Sequence, residues 1–163
     1  MNRNHVRLIF LFFALAGAGH KACAVDFAGG SGEPNDPYQI GTAEQLISIG
    51  SDPNVLDKCY VLIANIDLDP CLPGGRVFRH AVIAPDLGES GSFQGTPFSG
   101  SFDGRGYKVR GLTIDALTVN PSDPNDTIRY HLGLFGKIDS QGNVCRVTVT
   151  DANIYADPDI FEA

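Results

Sequence analysis

The sequence predicts an all-β solenoid segment that begins with one short capping helix. Nineteen glycines and ten prolines break the chain into short runs. A single run has helical character, and one strand-like pattern occurs three times. A short strand with one apolar face cannot bury that face alone, whereas stacked copies can bury it together. The alternative is an antiparallel β-sandwich whose strands resemble one another by coincidence.

Residues 1–24 have the layout of a secretory signal peptide. Arg3 and Arg7 supply the basic start, residues 8–18 form an apolar run, and residues 22–24 read Ala-Cys-Ala. The apolar run is too short to span a bilayer comfortably. We therefore expect cleavage after Ala24, an exported protein of the extracellular space, cell surface or periplasm, and no membrane attachment after cleavage.

Removal of residues 1–24 leaves enough chain for one domain and changes the formal net charge from −7 to −10. This acidity argues against nucleic acid and anionic lipid as partners. Three cysteines remain, namely Cys59, Cys71 and Cys145, an odd number that does not make a disulfide framework. A bridge between Cys59 and Cys71 and three free thiols are both compatible with the sequence.

Residues 25–58 are predicted to hold an entry strand and the capping helix, written "GTAEQLISIGSDP". Thr42 can cap this helix while Gln45 reaches back, as in a capping box. Leu46 and Ile49 give the helix an apolar side, and Gly50 and Pro53 end it. The helix from Thr42 to Ile49 should close the N-terminal end and cover the edge of the first rung.

Residues 59–163 are predicted to form the rungs, because three runs align: "IANIDLD", "VRGLTID" and "VCRVTVT". Their period-two positions place apolar side chains inward and Thr113 outward. Gly100, Asp103 and Gly106 would match Gly136, Asp139 and Gly142. The alignment predicts two inward columns, the first of Ile66, Leu112 and Val147 and the second of Leu68, Ile114 and Val149. The last rung, near Val147, has no predicted cover, so the chain is expected to self-associate there.

The stretch "HLGLFGKIDSQGNVCRVTVTDANI", about residues 131–154, resembles the GLUG repeat, whose core is spelled here by Gly133, Leu134, Phe135 and Gly136. The segments "GSGEPNDPYQIGTAEQLISIG", "YVLIANIDLD" and "FSGSFDGRGYKVRGLTID" are similar to the usual N-terminal part of such proteins. This resemblance implies a right-handed parallel β-helix of the pectin-lyase-like kind, in an exported bacterial protein. Family members carry several repeats and this chain has one clear copy, so we expect the repeat region to be incomplete at its C-terminal end.

No catalytic constellation is apparent. The acidic residues Asp67, Asp69, Asp103 and Asp139 are scattered among turns, and His80 and His131 have no partner in any motif. The sequence therefore favours a non-catalytic structural or adhesive module that contacts a cell surface or a polysaccharide. The alternative is the N-terminal part, or a remnant, of a carbohydrate-active β-helix enzyme, either a lyase or a hydrolase. The sequence does not identify the ligand.

The segment "PSDPNDT" is the densest local supply of oxygen ligands, with Asp123, Asn125 and Asp126 as calcium candidates. An exposed Pro/Asp/Asn loop explains the same composition. No other cofactor is predicted.

Overall fold

The computed structural model describes residues 26–88, 92–116 and 131–156. The signal-peptide prediction for residues 1–24 and the calcium candidates Asp123, Asn125 and Asp126 lie outside the described residues.

The described chain is all-β, with short parallel strands and one α-helix. The strands are β1 (Tyr38–Ile40), β2 (Cys59–Leu62), β3 (Ile66–Asp67), β4 (Ser101–Asp103), β5 (Lys108–Arg110), β6 (Thr113–Asp115), β7 (Asn143–Cys145), β8 (Thr148–Thr150) and β9 (Asn153–Tyr155). The helix α1 spans Ala43–Ile49, and a 3-10 turn follows at Pro53–Val55. Three sheets result: a first sheet in the order β1-β2-β4-β7, a second in the order β3-β5-β8 and a third in the order β6-β9.

The chain visits the three sheets in a fixed order. Strands β4, β5 and β6, here called the middle triplet, enter the first, second and third sheets in turn, and β7, β8 and β9, the last triplet, repeat that order. Before them, β2 and β3 occupy the first and second sheets, and Phe78 forms a parallel bridge to Ile114 of the third. Every strand-to-strand ladder is parallel.

The predicted helix is confirmed, with Thr42 as its N-cap and Gly50 as its C-cap. The Gln45 amide N–H donates to the Thr42 hydroxyl at 3.3 Å, and the Gln45 side-chain oxygen accepts from the Gly41 N–H at 2.8 Å. Leu46 and Ile49 are fully buried. The helix packs on β3, which is the first strand of the second sheet.

The outer edge of β1 is also covered. The Gln39 N–H donates to the Gly29 carbonyl at 2.8 Å, and the Gln39 carbonyl accepts from the Ala28 N–H at 3.0 Å. Two segments thus cover the N-terminal end of the fold: residues 28–29 bond to the first sheet, and α1 packs on the second.

Aromatic side chains fill the inward column of the first sheet. Tyr38, Tyr60 and Phe102 are in register, with Val144 next to Phe102 in the last triplet. Ring centroids are 5.7 Å apart for Tyr38 and Tyr60 and 6.5 Å apart for Tyr60 and Phe102. Tyr60 is 1% exposed, yet its hydroxyl donates to the Val55 carbonyl at 2.6 Å, so the buried polar group is satisfied.

The predicted register of the other columns is wrong. Ile66 pairs with Val109, which in turn pairs with Val149. Ile114 lies between Phe78 and Ile154. The predicted columns of Ile66, Leu112 and Val147 and of Leu68, Ile114 and Val149 therefore mix strands of different sheets with corner residues.

The error has a physical cause. Strands β4, β5, β6 and β8 each read polar-apolar-polar although they lie in three different sheets, so a period-two match does not distinguish neighbours in one sheet from successive strands of one triplet. The predicted match of Gly100 with Gly136 is wrong for the same reason. Ser101 pairs with Asn143, which sets Gly100 opposite Gly142. Ile66, Leu68, Leu112 and Ile114 are nevertheless buried, whereas Val147 is half-buried and Val149 is 41% exposed.

The segment Gly133–Gly136 runs alongside residues 82–84. The Ile83 N–H donates to the Leu134 carbonyl at 2.9 Å, and the Gly136 N–H donates to the Ile83 carbonyl at the same distance. A Cβ on Gly136 would lie 2.3 Å from the Ala84 carbonyl oxygen, so only glycine permits this approach. Phe135 packs edge-on against the rings of Phe98 and Phe102, at 5.2 and 5.4 Å between centroids.

Cys59, Cys71 and Cys145 are free thiols in the structure. The bridge between Cys59 and Cys71, which the sequence left open, is not formed.

Candidate functional site

An open groove of about 430 Å³ crosses the outer face of the second sheet. It is lined mainly by polar side chains: Asn65, Asp67, Lys108, Arg110, Thr150 and Asp151, together with Ile66. The lining comes from β3, β5 and β8 and from the residues next to them. This groove is the candidate binding site of the described chain.

The strand register explains why these side chains meet. Asp67, Arg110 and Thr150 are direct partners on three neighbouring strands, and Lys108 is the partner of Thr148. Val109, between Lys108 and Arg110, is fully buried. Because side chains alternate along a strand, Lys108 and Arg110 project from the opposite, solvent-facing side.

Hydrogen bonds fix part of the groove. The Arg110 guanidinium lies 2.5 Å from the Asp67 carboxylate, and the Lys108 backbone N–H donates to the Asn65 side-chain oxygen at 2.9 Å. The Arg110 side chain is 61% exposed, so this ion pair contributes little stability and instead holds the guanidinium in place. Lys108 makes no ion pair with any residue that the structure describes.

The groove therefore offers one free ammonium, one oriented guanidinium, two carboxylates and a hydroxyl within one open surface. Such a mixture of donors and acceptors suits a ligand rich in hydroxyl groups, because each hydroxyl both donates and accepts. The formal charges of Lys108 and Arg110 balance those of Asp67 and Asp151, so the groove does not select for a strongly charged ligand.

The four turn acids from the sequence have structural roles. Asp67, Asp69, Asp103 and Asp139 each accept a hydrogen bond from the backbone N–H two residues ahead, at 2.9 to 3.1 Å. This is the local bonding that makes aspartate frequent in turns. The Arg146 guanidinium donates to Asp103 and holds the pKa of that carboxyl below its usual range, against the smaller opposing effect of burial.

One pairing was not predicted from the sequence: His131 contacts the buried Asp86. The His131 Nδ1 atom lies 2.8 Å from the Asp86 carboxylate, which is 4% exposed. The other carboxylate oxygen accepts from the backbone N–H groups of Gly88 and Gln94, both at 3.1 Å. Burial raises the pKa of Asp86, but the hydrogen bonds from Gln94, Gly88 and His131 together outweigh it and leave that pKa below its usual range.

The Asp86–His131 pair joins distant parts of the chain. Asp86 accepts from Gly88 and Gln94 and, through His131, is joined to the segment that leads into Gly133–Gly136. Both carboxylate oxygens are occupied by donors, so Asp86 acts as an anchor. The residues around Asp86 and those around His131 contain nothing that marks the two as partners, so no sequence signal could have paired them.

Among the described residues, no group of three or more His, Cys, Asp or Glu side chains is arranged to hold a metal ion. None of the helices in the same ranges is long and apolar enough to cross a membrane.

Comparison with known proteins gives two partial relatives. The chain is 34% identical to halomucin of Haloquadratum walsbyi over 138 residues, which cover 82% of this chain and 1% of halomucin. It is 31% identical over 146 residues to a protein of Evansella cellulosilytica whose name describes it as a Gly-rich membrane protein, with 88% of this chain and 14% of that protein covered. The chain thus spans a small part of the length of these relatives. No family model matches it, and no solved structure matches it significantly.

Proposed function

We propose that the chain is a non-catalytic exported module, built as a right-handed parallel β-helix of the GLUG-repeat kind, that serves a structural or adhesive role by contacting carbohydrate. The fold proposal is supported by the order of the strands, since two successive triplets each contribute one strand to each of the three parallel sheets. The ion pairs Asp67–Arg110 and Asp103–Arg146 each join residues 43 positions apart in sequence, as expected for side chains one rung apart.

The proposed contact with carbohydrate rests on the groove on the second sheet. Its polar lining is drawn from three neighbouring strands, so it extends along the direction in which strands stack, about 4.8 Å per strand. A polysaccharide is an extended ligand with hydroxyl groups at regular spacing, and it can contact several strands at once. The balanced charge favours a neutral glycan.

A surface or membrane-associated location is part of the same proposal. Halomucin and the Gly-rich membrane protein carry names that suggest a cell envelope, and both are far longer than this chain. A short repeat unit that matches a small part of such proteins is consistent with a building block of a long surface protein.

The test is binding of the purified chain to immobilised neutral polysaccharides, compared with the variant Lys108→Ala. Loss of one charged hydrogen-bond donor should weaken binding about tenfold. Lys137→Ala is the matched control, because it removes the same charge from a residue outside the groove. Equal binding by all three proteins would contradict the assignment of the groove.

One observation supports the alternative, a carbohydrate-active enzyme. Two carboxylates, Asp67 and Asp151, line the same groove, and glycosidases act through a pair of carboxyl groups. Release of new reducing or unsaturated sugar ends from a bound polysaccharide, abolished in a folded Asp151→Asn variant, would establish the enzyme and end the non-catalytic proposal.

A further inference from the structure

Two cations lie side by side on the solvent face of β5. Lys108 and Arg110 are separated by the buried Val109, so their side chains leave the strand on the same side. Their Cα atoms are roughly 7 Å apart, close enough for both side chains to contact one extended ligand. By themselves, two such charges would attract an acidic polysaccharide, because carboxylates and sulfates form charge-assisted hydrogen bonds with them.

Asp67 cancels one of these two charges. It is the direct partner of Arg110 on the neighbouring strand β3, and its Oδ2 atom lies 2.5 Å from the Arg110 Nη2 atom. Its other oxygen, Oδ1, accepts from the Asp69 backbone N–H at 3.1 Å, which fixes the carboxylate in place. Among the described residues, no other carboxylate forms an ion pair with Arg110.

This ion pair presents its positive member to the solvent. The Arg110 side chain is 61% exposed, whereas the Asp67 side chain is 26% exposed. A ligand in the groove therefore meets the guanidinium first, and the Asp67 carboxylate acts on that ligand through Arg110. An exposed ion pair adds little stability, so the main effect of Asp67 is on the charge that the groove offers to a ligand.

We propose that Asp67 is a positioning residue that sets the charge specificity of the groove, so that neutral polysaccharides bind in preference to acidic ones. This inference rests on the proposed contact with carbohydrate. With Asp67 ionised, the groove contains two cations and two carboxylates and has no formal net charge. Without that carboxylate the groove has a formal charge of one positive unit, and the Arg110 guanidinium is free to bind a carboxylate of the ligand.

Asp67→Asn removes the charge and keeps the turn. The asparagine side-chain oxygen can still accept from the Asp69 N–H, so the end of β3 should not change. Asp69→Asn is the matched control, because Asp69 accepts the same kind of bond, from the Cys71 N–H at 2.9 Å, and does not line the groove. Both substitutions remove one negative charge, so a difference between the two variants does not arise from the overall charge of the chain.

The experiment measures binding of the parent chain and both variants to dextran and to carboxymethyl dextran, which share one neutral backbone. The parent chain should prefer dextran. Asp67→Asn should bind carboxymethyl dextran about tenfold more tightly than the parent does, which is the effect of one new charged hydrogen bond. This gain should shrink as the salt concentration rises, because salt screens exposed charges. Asp69→Asn should bind both polymers as the parent does.

Unchanged binding of carboxymethyl dextran by folded Asp67→Asn, an equal gain in Asp69→Asn, or a parent chain that already prefers the acidic polymer would each overturn the role of Asp67. If Asp67→Asn does not fold, Asp67→Ser gives the same test, because its hydroxyl can accept from the Asp69 N–H. Failure of the proposed function gives a different result. A gain by Asp67→Asn on the acidic polymer, with no binding of neutral polysaccharide by the parent, would keep the role of Asp67 and end the neutral-glycan proposal.

Discussion

Val109 and Val149 provide a matched pair for testing the register, since they are the same residue type in the same column of adjacent triplets. Val109 is fully buried on β5, which has a partner strand on each side, whereas Val149 on β8 is 41% exposed. Val109→Ala should cost about 2 kcal/mol in free energy of unfolding, since two buried carbons leave and a cavity remains.

Val149→Ala should cost less than about 1 kcal/mol, because the side chain already contacts solvent. Both substitutions exchange the same β-branched residue for alanine, so much of the change in strand propensity cancels between them. The difference between the two losses in free energy of unfolding therefore measures the effect of burial.

Urea melts of the two variants and the parent chain measure both values, and they should be recorded at a concentration low enough to keep the chain at one copy. Equal losses, or a larger loss at Val149, would refute the register and the stacking order derived from it.

Three further predictions concern separate features. Asp86→Asn should lower the free energy of unfolding by about 1 to 3 kcal/mol in denaturant melts, because one amide oxygen cannot satisfy all three donors around the carboxylate. Gly100→Ala should destabilise the fold measurably by thermal melting, because its Cβ would lie 2.0 Å from the Lys58 carbonyl oxygen. The pKa of Asp103 is lowered in the folded state by Arg146. The stability that the ionised Asp103 contributes is therefore complete above the unfolded pKa of about 3.9 and is lost as the pH falls through the folded pKa. Arg146→Gln should reduce this acid sensitivity in melts at low pH.

The local elements could be predicted because their signals are local. Thr42 and Gln45 cap the helix within one turn, and Gly50 ends it, so a short window of sequence holds the necessary information. The strands are likewise marked by glycine turns and by one apolar residue between polar neighbours. The predicted bounds of the helix, Thr42 to Ile49, differ from the observed ones only in counting the cap residue.

The register could not be predicted from the same signals. A strand of three residues with one inward side chain carries too little information to identify its partner, since several other strands offer the same pattern. A shorter match gives the observed register: aligning Gly100 and the following "SFD" with Gly142 and the following "NVC" pairs the two first-sheet strands correctly. That alignment leaves loops of different length between the strands, which the comparison of seven-residue runs did not allow.

The candidate groove depends on register, which is why it did not emerge from the sequence. Asp67 and Arg110 are 43 residues apart, and Thr150 follows from a third strand. Each is unremarkable alone, because a charged or hydroxyl side chain on the solvent face of a strand is common. Only stacking in the observed register brings the three side chains together, so the Val109 and Val149 melts test the groove as well as the core: if the register is wrong, Lys108 and Thr150 do not share a surface.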